Sequence, residues 1–458
     1  MKLGTIIGLL IVSTLILPNI ISAQSWSEII ELTPNDNAND EYPASAVYNE
    51  KLYVVWQSDN NIVMKSYDGI AWSSTEKVSK STGDGINRYP QLVVYNDKLY
   101  VLWETNDDLI SHGEDWDIVL WCYGCEIGNI AEVTDSNDSA NDCNSQMTVY
   151  NNKLCIVWQS DNDIITRNYN ATIGSINNSN AWSNIENITS SESNDYAPQI
   201  SVYLNNLWIL WVTEDENISS GSDSDIVMKY ENEIIELTPE NDNMVDQHPR
   251  MTVYNNELYV IWQTNNPEIT DGEDDDIVIR SYNASSGLGN IFEVTSNEGS
   301  DFGPQVTVDD KIYIAWLSNS KDLMMRSYDG NAFGSSVCVK SMEQGVVLIT
   351  KTCVSLCVYN DNLYIIWQTK DETISDGEDW DIMVRSYNMN TIDTTQTGFW
   401  SNVQVQNFWL PFVIIVSLMV IATIILSYFV IRPKIEWKKE NKRLQIRKKR
   451  REKIKKGK

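Results

Sequence analysis

Short apolar runs and polar turns alternate along most of the chain and then repeat as a longer phrase. In the first copy Ala44–Tyr48 is apolar, Asn49-Glu50 is a turn, and Lys51–Trp56 is apolar on both faces. Leu52, Val54 and Trp56 fall on one face, Tyr53 and Val55 on the other. A strand apolar on both sides fits a sheet packed between two others. Asn suits the positive-φ positions of a two-residue hairpin turn. After Gln57-Ser-Asp-Asn60 the pattern predicts a third strand over Ile62–Tyr67, a turn at Asp68-Gly69 and a fourth strand over Trp72–Ser79.

The phrase returns seven times, marked by Trp56, Trp103, Trp158, Trp211, Trp262, Trp316 and Trp367. Val-Tyr-Asn recurs at 94, 149, 253 and 358, and the fourth strand recurs as Ile130–Thr134, Ile185–Thr189, Ile234–Thr238 and Ile291–Thr295. Four-stranded repeats of roughly 50 residues are the pattern of propeller blades. The expectation is an all-β, seven-bladed β-propeller over residues 24–393. Two segments compete to complete the seventh blade. Ile29–Pro34 duplicates Ile234–Pro239, which makes residues 26–33 an outer strand ahead of the first blade. Phe399–Asn402 resembles Ala181–Asn184. The N-terminal segment is favoured, because the loop after it matches the loops that lead into other blades.

The ends add a topology. Residues 1–23 have the basic start, apolar stretch and small-residue site (Ser22-Ala23) of a secretory signal. Residues 408–431 carry no charge and are long enough for one transmembrane helix. Residues 394–407 form a stalk. Residues 432–458 form a short tail with 15 Lys or Arg against three Glu, which the positive-inside rule places in the cytoplasm. The expected protein is a single-pass cell-membrane protein with its ectodomain outside and its basic tail on the anionic inner leaflet.

Charge divides the same way. The chain carries −30; setting aside +12 from the tail and +1 from Lys2 leaves −43 for the remainder. Such a surface repels phosphates, so no nucleic-acid partner is expected, and it suits cations. Six glycosylation sequons stand at Asn137, Asn170, Asn177, Asn187, Asn217 and Asn283. Among seven cysteines, Cys122-x-x-Cys125 reads as a local disulfide, and Cys338 has Cys353 or Cys357 as a candidate partner.

Four loops between second and third strands are long and acidic. They place alternate acids at Asp115 and Asp117, Asp223 and Asp225, Asp274 and Asp276, and Asp379 and Asp381. Two readings stand. Oxygen-rich loops with a Gly at the turn could gather Ca²⁺, the one cofactor expected; alternatively each Asp caps its hairpin through backbone N–H groups. Asp163 and Asp322, in short loops, favour capping. A basic residue recurs on the third strand at Lys65, Arg167, Lys229, Arg280, Arg326 and Arg385, with Trp121 in the second copy; an ion pair within or between blades is expected. His112 and His248 read as solvated loop residues.

Ser66-Tyr-Asp-Gly-Ile-Ala-Trp72 and Ser327-Tyr-Asp-Gly-Asn-Ala-Phe333 resemble the Asp-box, Ser-x-Asp-x-Gly-x-x-Trp, of sialidase-type propellers, one residue shorter. The resemblance implies a propeller fold, in which the box is a fold element. Sialidases add three converging arginines, a Tyr nucleophile with a Glu, and an acidic Asp. Of the six arginines in the expected ectodomain, four (Arg167, Arg280, Arg326 and Arg385) occupy the repeated strand position, leaving Arg88 and Arg250. No catalytic residue is carried over. The expected function is therefore binding of an extracellular glycan, a surface protein or an envelope component, with calcium as the candidate aid. The alternatives are a glycoside hydrolase using paired carboxylates on the acidic face, and a structural envelope subunit.

Overall fold

A computed structural model describes residues 26–34, 37–79, 85–111, 115–125, 130–134, 139–190, 192–219, 223–238, 244–270, 274–341, 354–375, 379–389 and 432–455. The proposed signal, stalk and span lie outside these residues, as do Phe399–Asn402, Asn137, His112 and Cys353. No helix among the described residues is long and apolar enough to cross a membrane. The described strands fall in one compact unit, and the helix Arg432–Lys455 belongs to another.

Seven four-stranded antiparallel sheets make a seven-bladed propeller. In the first blade the order from the centre outward is Asp40–Tyr48, Lys51–Ser58, Asn61–Tyr67 and Glu76–Lys77. The seventh combines both ends of the domain: Val354–Tyr359, Asn362–Thr369 and Asp381–Asn388 are followed outward by Ile30–Glu31, with Ile30 opposite Val384 and Glu31 opposite Met383. Trp26 pairs with Tyr387 as Trp72 does with Tyr67 and Trp182 with Tyr169. Leu32, only 2% exposed, then packs with Trp56, Ile366, Ile382 and Val384 and so joins the first blade to the last.

Two outer strands are shorter than the apolar pattern predicts. Glu76–Lys77 replaces an expected strand over 72–79, and Glu186–Asn187 replaces one over 185–189. The residues dropped from the ladder have another task. The closing Thr or Ser of each segment turns inward to bond the third strand, as described below.

Six first-to-second turns have both central residues at positive φ, as in Asn49 (46°) and Glu50 (58°), or Asn151 (47°) and Asn152 (56°). The seven second-strand tryptophans are at most 2% exposed. Six of them donate Nε1–H to a carboxylate or amide at the start of their own inner strand: Trp56 to Asp40 (2.7 Å), Trp103 to Asn87 (2.8 Å), Trp158 to Asp142 (2.9 Å), Trp211 to Asp195 (3.0 Å), Trp262 to Asp246 (2.7 Å) and Trp316 to Asp301 (3.1 Å). A buried indole N–H needs such an acceptor. The bond fixes the inner strand's start against the second strand.

The recurrent bases reach across to a neighbouring blade. They bond main-chain carbonyls of the preceding blade: Arg167 Nη1 to Val133 O (2.6 Å), Lys229 Nζ to Ile188 O (3.0 Å), Arg280 Nη1 to Leu237 O (2.6 Å), and likewise Lys65 to Leu32, Arg326 to Val294 and Arg385 to Val339. A clamp thus crosses six of the seven seams; the exception leads into the second blade, where Trp121 holds the position. The outer strand there is short and leaves a carbonyl without a ladder partner, and a long basic side chain reaches it. Cys122 and Cys125 form a disulfide, whereas Cys338 and Cys357 are unpaired among the described residues, which do not include the other candidate, Cys353.

Candidate functional site

The long loops lie on the face where second strands end and inner strands begin. Each starts with one turn built on a shared pattern that sequence reading missed: Thr105-x-Asp107, Thr213-x-Asp215, Thr264-x-Asn266 and Thr369-x-Asp371. Their Oδ1 atoms accept from the backbone N–H two residues on, at Leu109 (3.0 Å), Asn217 (2.9 Å), Glu268 (2.8 Å) and Thr373 (2.9 Å). The carbonyl of the same residue accepts from Ser111, Ser219, Thr270 or Ser375 four residues on. The pattern is an Asx turn closed by an α-turn.

The second acid of each predicted pair is buried and capped. Thr134 donates to Asp117 (2.8 Å), Thr238 to Asp225 (2.8 Å), Thr295 to Asp276 (2.9 Å) and Thr33 to Asp381 (3.1 Å), each through Oγ1–H to Oδ1. The same hydroxyls accept the N–H of the next third-strand residue, as Ile277 to Thr295 (2.8 Å) and Ile382 to Thr33 (3.0 Å). Asp163 makes the same bond in a short loop, from Thr189 (3.1 Å). Of the first acids, Asp115, Asp223 and Asp274 are half-buried and Asp379 is buried; Asp274 Oδ2 accepts from Gly299 N–H (2.6 Å). Burial, with Asp274 nearby, raises Asp276 to about 6, and burial, with Asp379 nearby, raises Asp381 to about 6. Among the described residues no three His, Cys, Asp or Glu gather as a metal site, and the centres of all four loops lie outside those residues.

Asn177, Asn187 and Asn217 are exposed, whereas Asn170, just before a turn, and Asn283, at the end of the strand Asp276–Asn283, are half-buried. Asp68 and Asp329 each accept two backbone N–H bonds at the third turn, from Ile70 and Ala71 (2.9 Å each) and from Asn331 and Ala332 (2.8 Å each). Those bonds hold both carboxyls below the usual range.

The central channel supplies the concave site. Each of the first six inner strands is broken by a bulge whose residue has positive φ: Tyr42 (55°), Tyr89 (52°), Asn144 (56°), Ala197 (53°), His248 (54°) and Gly303 (58°). Five of these six are not glycine. Such residues cost roughly 1–2 kcal/mol each and persist only where surroundings impose them. Three of the re-aimed N–H groups latch onto the blade before: Tyr42 to Gln368 Oε1 (2.6 Å), Asn144 to Glu104 Oε1 (2.7 Å) and Gly303 to Gln263 Oε1 (3.4 Å).

At the mouth, blades two to five enclose a cavity of about 340 Å³. Its wall includes Tyr89 and Tyr196, the amides Gln91, Asn144, Gln146, Gln199 and Gln247, and the cationic Arg250 beside His248. Glu104 is its one lining carboxylate among the described residues; it pairs with Arg88 Nε at 2.9 Å, and the Arg88 guanidinium lies 3.2 Å from the Trp116 ring centre. Burial and the neighbouring Arg250 push His248 down to about 4, so it is neutral at pH 7. Sequence reading expected His248 in a solvated loop, whereas it lies half-buried in the inner strand Asp246–Tyr254; the other wall residues carry no catalytic motif and were not singled out as a site. The available signal was a recurrent Asp/Asn-x-x-Pro at Asp40, Asn87, Asp195, Asp246 and Asp301.

No protein-family model matches the chain, and no curated protein matches it in sequence. Solved structures do resemble it. The polysaccharide lyase Uly1 superposes with a TM-score of 0.53 at 10% identity, covering 80% of this chain and 100% of its own. An ulvan lyase described as a new family of polysaccharide lyase superposes at 0.50 with 8% identity, covering 78% of this chain and 95% of its own. At these identities the likeness establishes the propeller fold.

Proposed function

We propose that this chain is a membrane-anchored surface propeller that binds a glycan at its channel mouth. The observation that carries this reading is the cavity wall: two tyrosine rings among five side-chain amides, on a scaffold locked by repeated bulges. Sugar hydroxyls pair with amides, which both donate and accept, and sugar C–H faces pack on aromatic rings. Both structural neighbours named above are polysaccharide lyases, which agrees with that ligand class. Two-carboxylate hydrolysis needs a pair of acids separated by roughly 5 to 9.5 Å, and among the described residues the cavity is lined by one carboxylate, which Arg88 engages. That favours binding over hydrolysis.

The test is a glycan array probed with the full chain in a sugar-free detergent, alongside Tyr89→Ala and Tyr196→Ala. Selective binding that both substitutions weaken supports the reading; no glycan bound contradicts it. Calcium in the long acidic loops belongs to the same proposal. Its check is the full chain's melting temperature in EDTA against millimolar calcium, where an unchanged value returns the loop acids to capping alone.

A further inference from the structure

Register places one residue of each inner strand on the same level of the channel, opposite the residue before the blade tryptophan. Around the ring these are Ala44, Gln91, Gln146, Gln199, Arg250, Gln305 and Ser355. Six are neutral and one is a guanidinium. Arg250 donates Nε–H to Gln305 Oε1 at 3.2 Å and Nη1–H to the Pro249 carbonyl at 2.7 Å. Both acceptors are neutral, and no described carboxylate lies within ion-pair distance of it. Burial lowers its pKa to about 10, which leaves it charged at pH 7.

An uncompensated cation facing a cavity is costly, and most so where only neutral dipoles solvate it. In a chain with 64 acidic residues, a carboxylate partner was readily available to this site. Glu104, on the same wall, is held instead by Arg88 and by the Asn144 N–H. With His248 neutral and the Glu104 carboxylate offset by Arg88 behind it, the charge left on the described wall at pH 7 is that of Arg250. The long-range field of the acidic surface is screened beyond about 8–10 Å at physiological salt, whereas a guanidinium contact at 3 Å is not.

We infer that Arg250 recognises an oxyanion substituent, carboxylate or sulfate ester, on the bound glycan, so that the site selects acidic over neutral saccharides. Its planar fork suits such groups, and the neutral ring around it supplies amides for the flanking hydroxyls. This rests on the glycan reading above and narrows its ligand class.

The test uses the same array with three matched sets: uronate-containing oligosaccharides, their carboxyl-reduced forms, and sulfated neutral oligosaccharides. Arg250→Gln is the informative variant, because Gln stands at four other positions of the ring and should fold there; an unchanged melting temperature verifies this. Arg250→Lys keeps the charge and loses the fork. The expected result is preferential binding of one acidic set, weakened about 10- to 100-fold by Arg250→Gln and less by Arg250→Lys. Which acidic set binds distinguishes carboxylate from sulfate. Neutral glycans bound equally well, or acidic ones bound with no loss in Arg250→Gln, would overturn the inference and leave glycan binding standing. No saccharide bound in any set would overturn both.

Discussion

Arg250 Nε donates to Gln305 Oε1 at 3.2 Å across the seam between the fifth and sixth blades. This bond orients the guanidinium without neutralising it. Gln305→Ala should therefore loosen the fork and weaken binding of acidic glycans about three- to tenfold, with a stability change of roughly 0.5–1.5 kcal/mol. Calorimetric titration beside a thermal melt measures both. Unchanged affinity would mean that Arg250 is positioned by Pro249 and packing alone.

The tryptophan bonds differ in one blade. Trp211 donates to Asp195, whose carboxyl is fully buried and raised by that burial. Trp367 has no acceptor for its indole N–H among the described residues. Trp211→Phe strands a buried acceptor and loses volume, while Trp367→Phe mainly loses volume. The first should cost about 1–2 kcal/mol more than the second in denaturant melts. Equal costs would show that the indole bond contributes little.

Two groups of titrating residues act in opposite directions. Asp276 and Asp381 stand at about 6 when folded, against about 4 when unfolded. The folded chain thus holds protons that the unfolded chain has released over pH 4–6, and their contribution is favourable below pH 4 and lost as pH rises through 6. His248, held at about 4 against about 6.5, destabilises the fold as pH falls from 6.5 to 4. Asp276→Asn with Asp381→Asn should raise the melting temperature more at pH 7.5 than at pH 4.5, and His248→Gln should do the reverse. Curves parallel to wild type would contradict the assignment of these shifts to burial.

Ring closure concentrates in a few residues at the N-terminus. Leu32 is 2% exposed, its N–H bonds the Ile382 carbonyl at 2.7 Å, and Thr33 caps Asp381. Leu32→Ala should cost about 2–4 kcal/mol and speed hydrogen exchange in the third strand of the seventh blade ahead of the others. A loss spread evenly over all blades would show that closure does not depend on this strand.

Much of this architecture was legible beforehand, for physical reasons. Strands apolar on both faces report sheets packed on two sides, and the tryptophan period reports blades. The match of Ile29–Pro34 to Ile234–Pro239 pointed to the outer position that Ile30–Glu31 occupies. A second signal went unused: Trp26-Ser27 repeats Trp182-Ser183, and both tryptophans pair with the tyrosine ending a third strand. Outer-strand lengths were overestimated because the closing Thr reads as a strand residue, whereas its hydroxyl serves the Asp of the neighbouring strand. The recurrent bases also bond main-chain carbonyls of the preceding blade, which composition hides because it reveals charge and not free carbonyls. The channel wall was least legible. Gln146, Gln199 and Arg250 sit far apart in sequence, and only blade register brings them to one level.

The most direct test fills the cavity. Gln146→Trp places a large ring at the channel level between Gln91 and Gln199, while leaving the blade's Trp158–Asp142 bond in place. The glycan-mouth account predicts an unchanged melting temperature and at least a tenfold loss of affinity for whichever array saccharides the wild-type chain binds. Full affinity in a folded Gln146→Trp protein would contradict it and place the ligand on another surface.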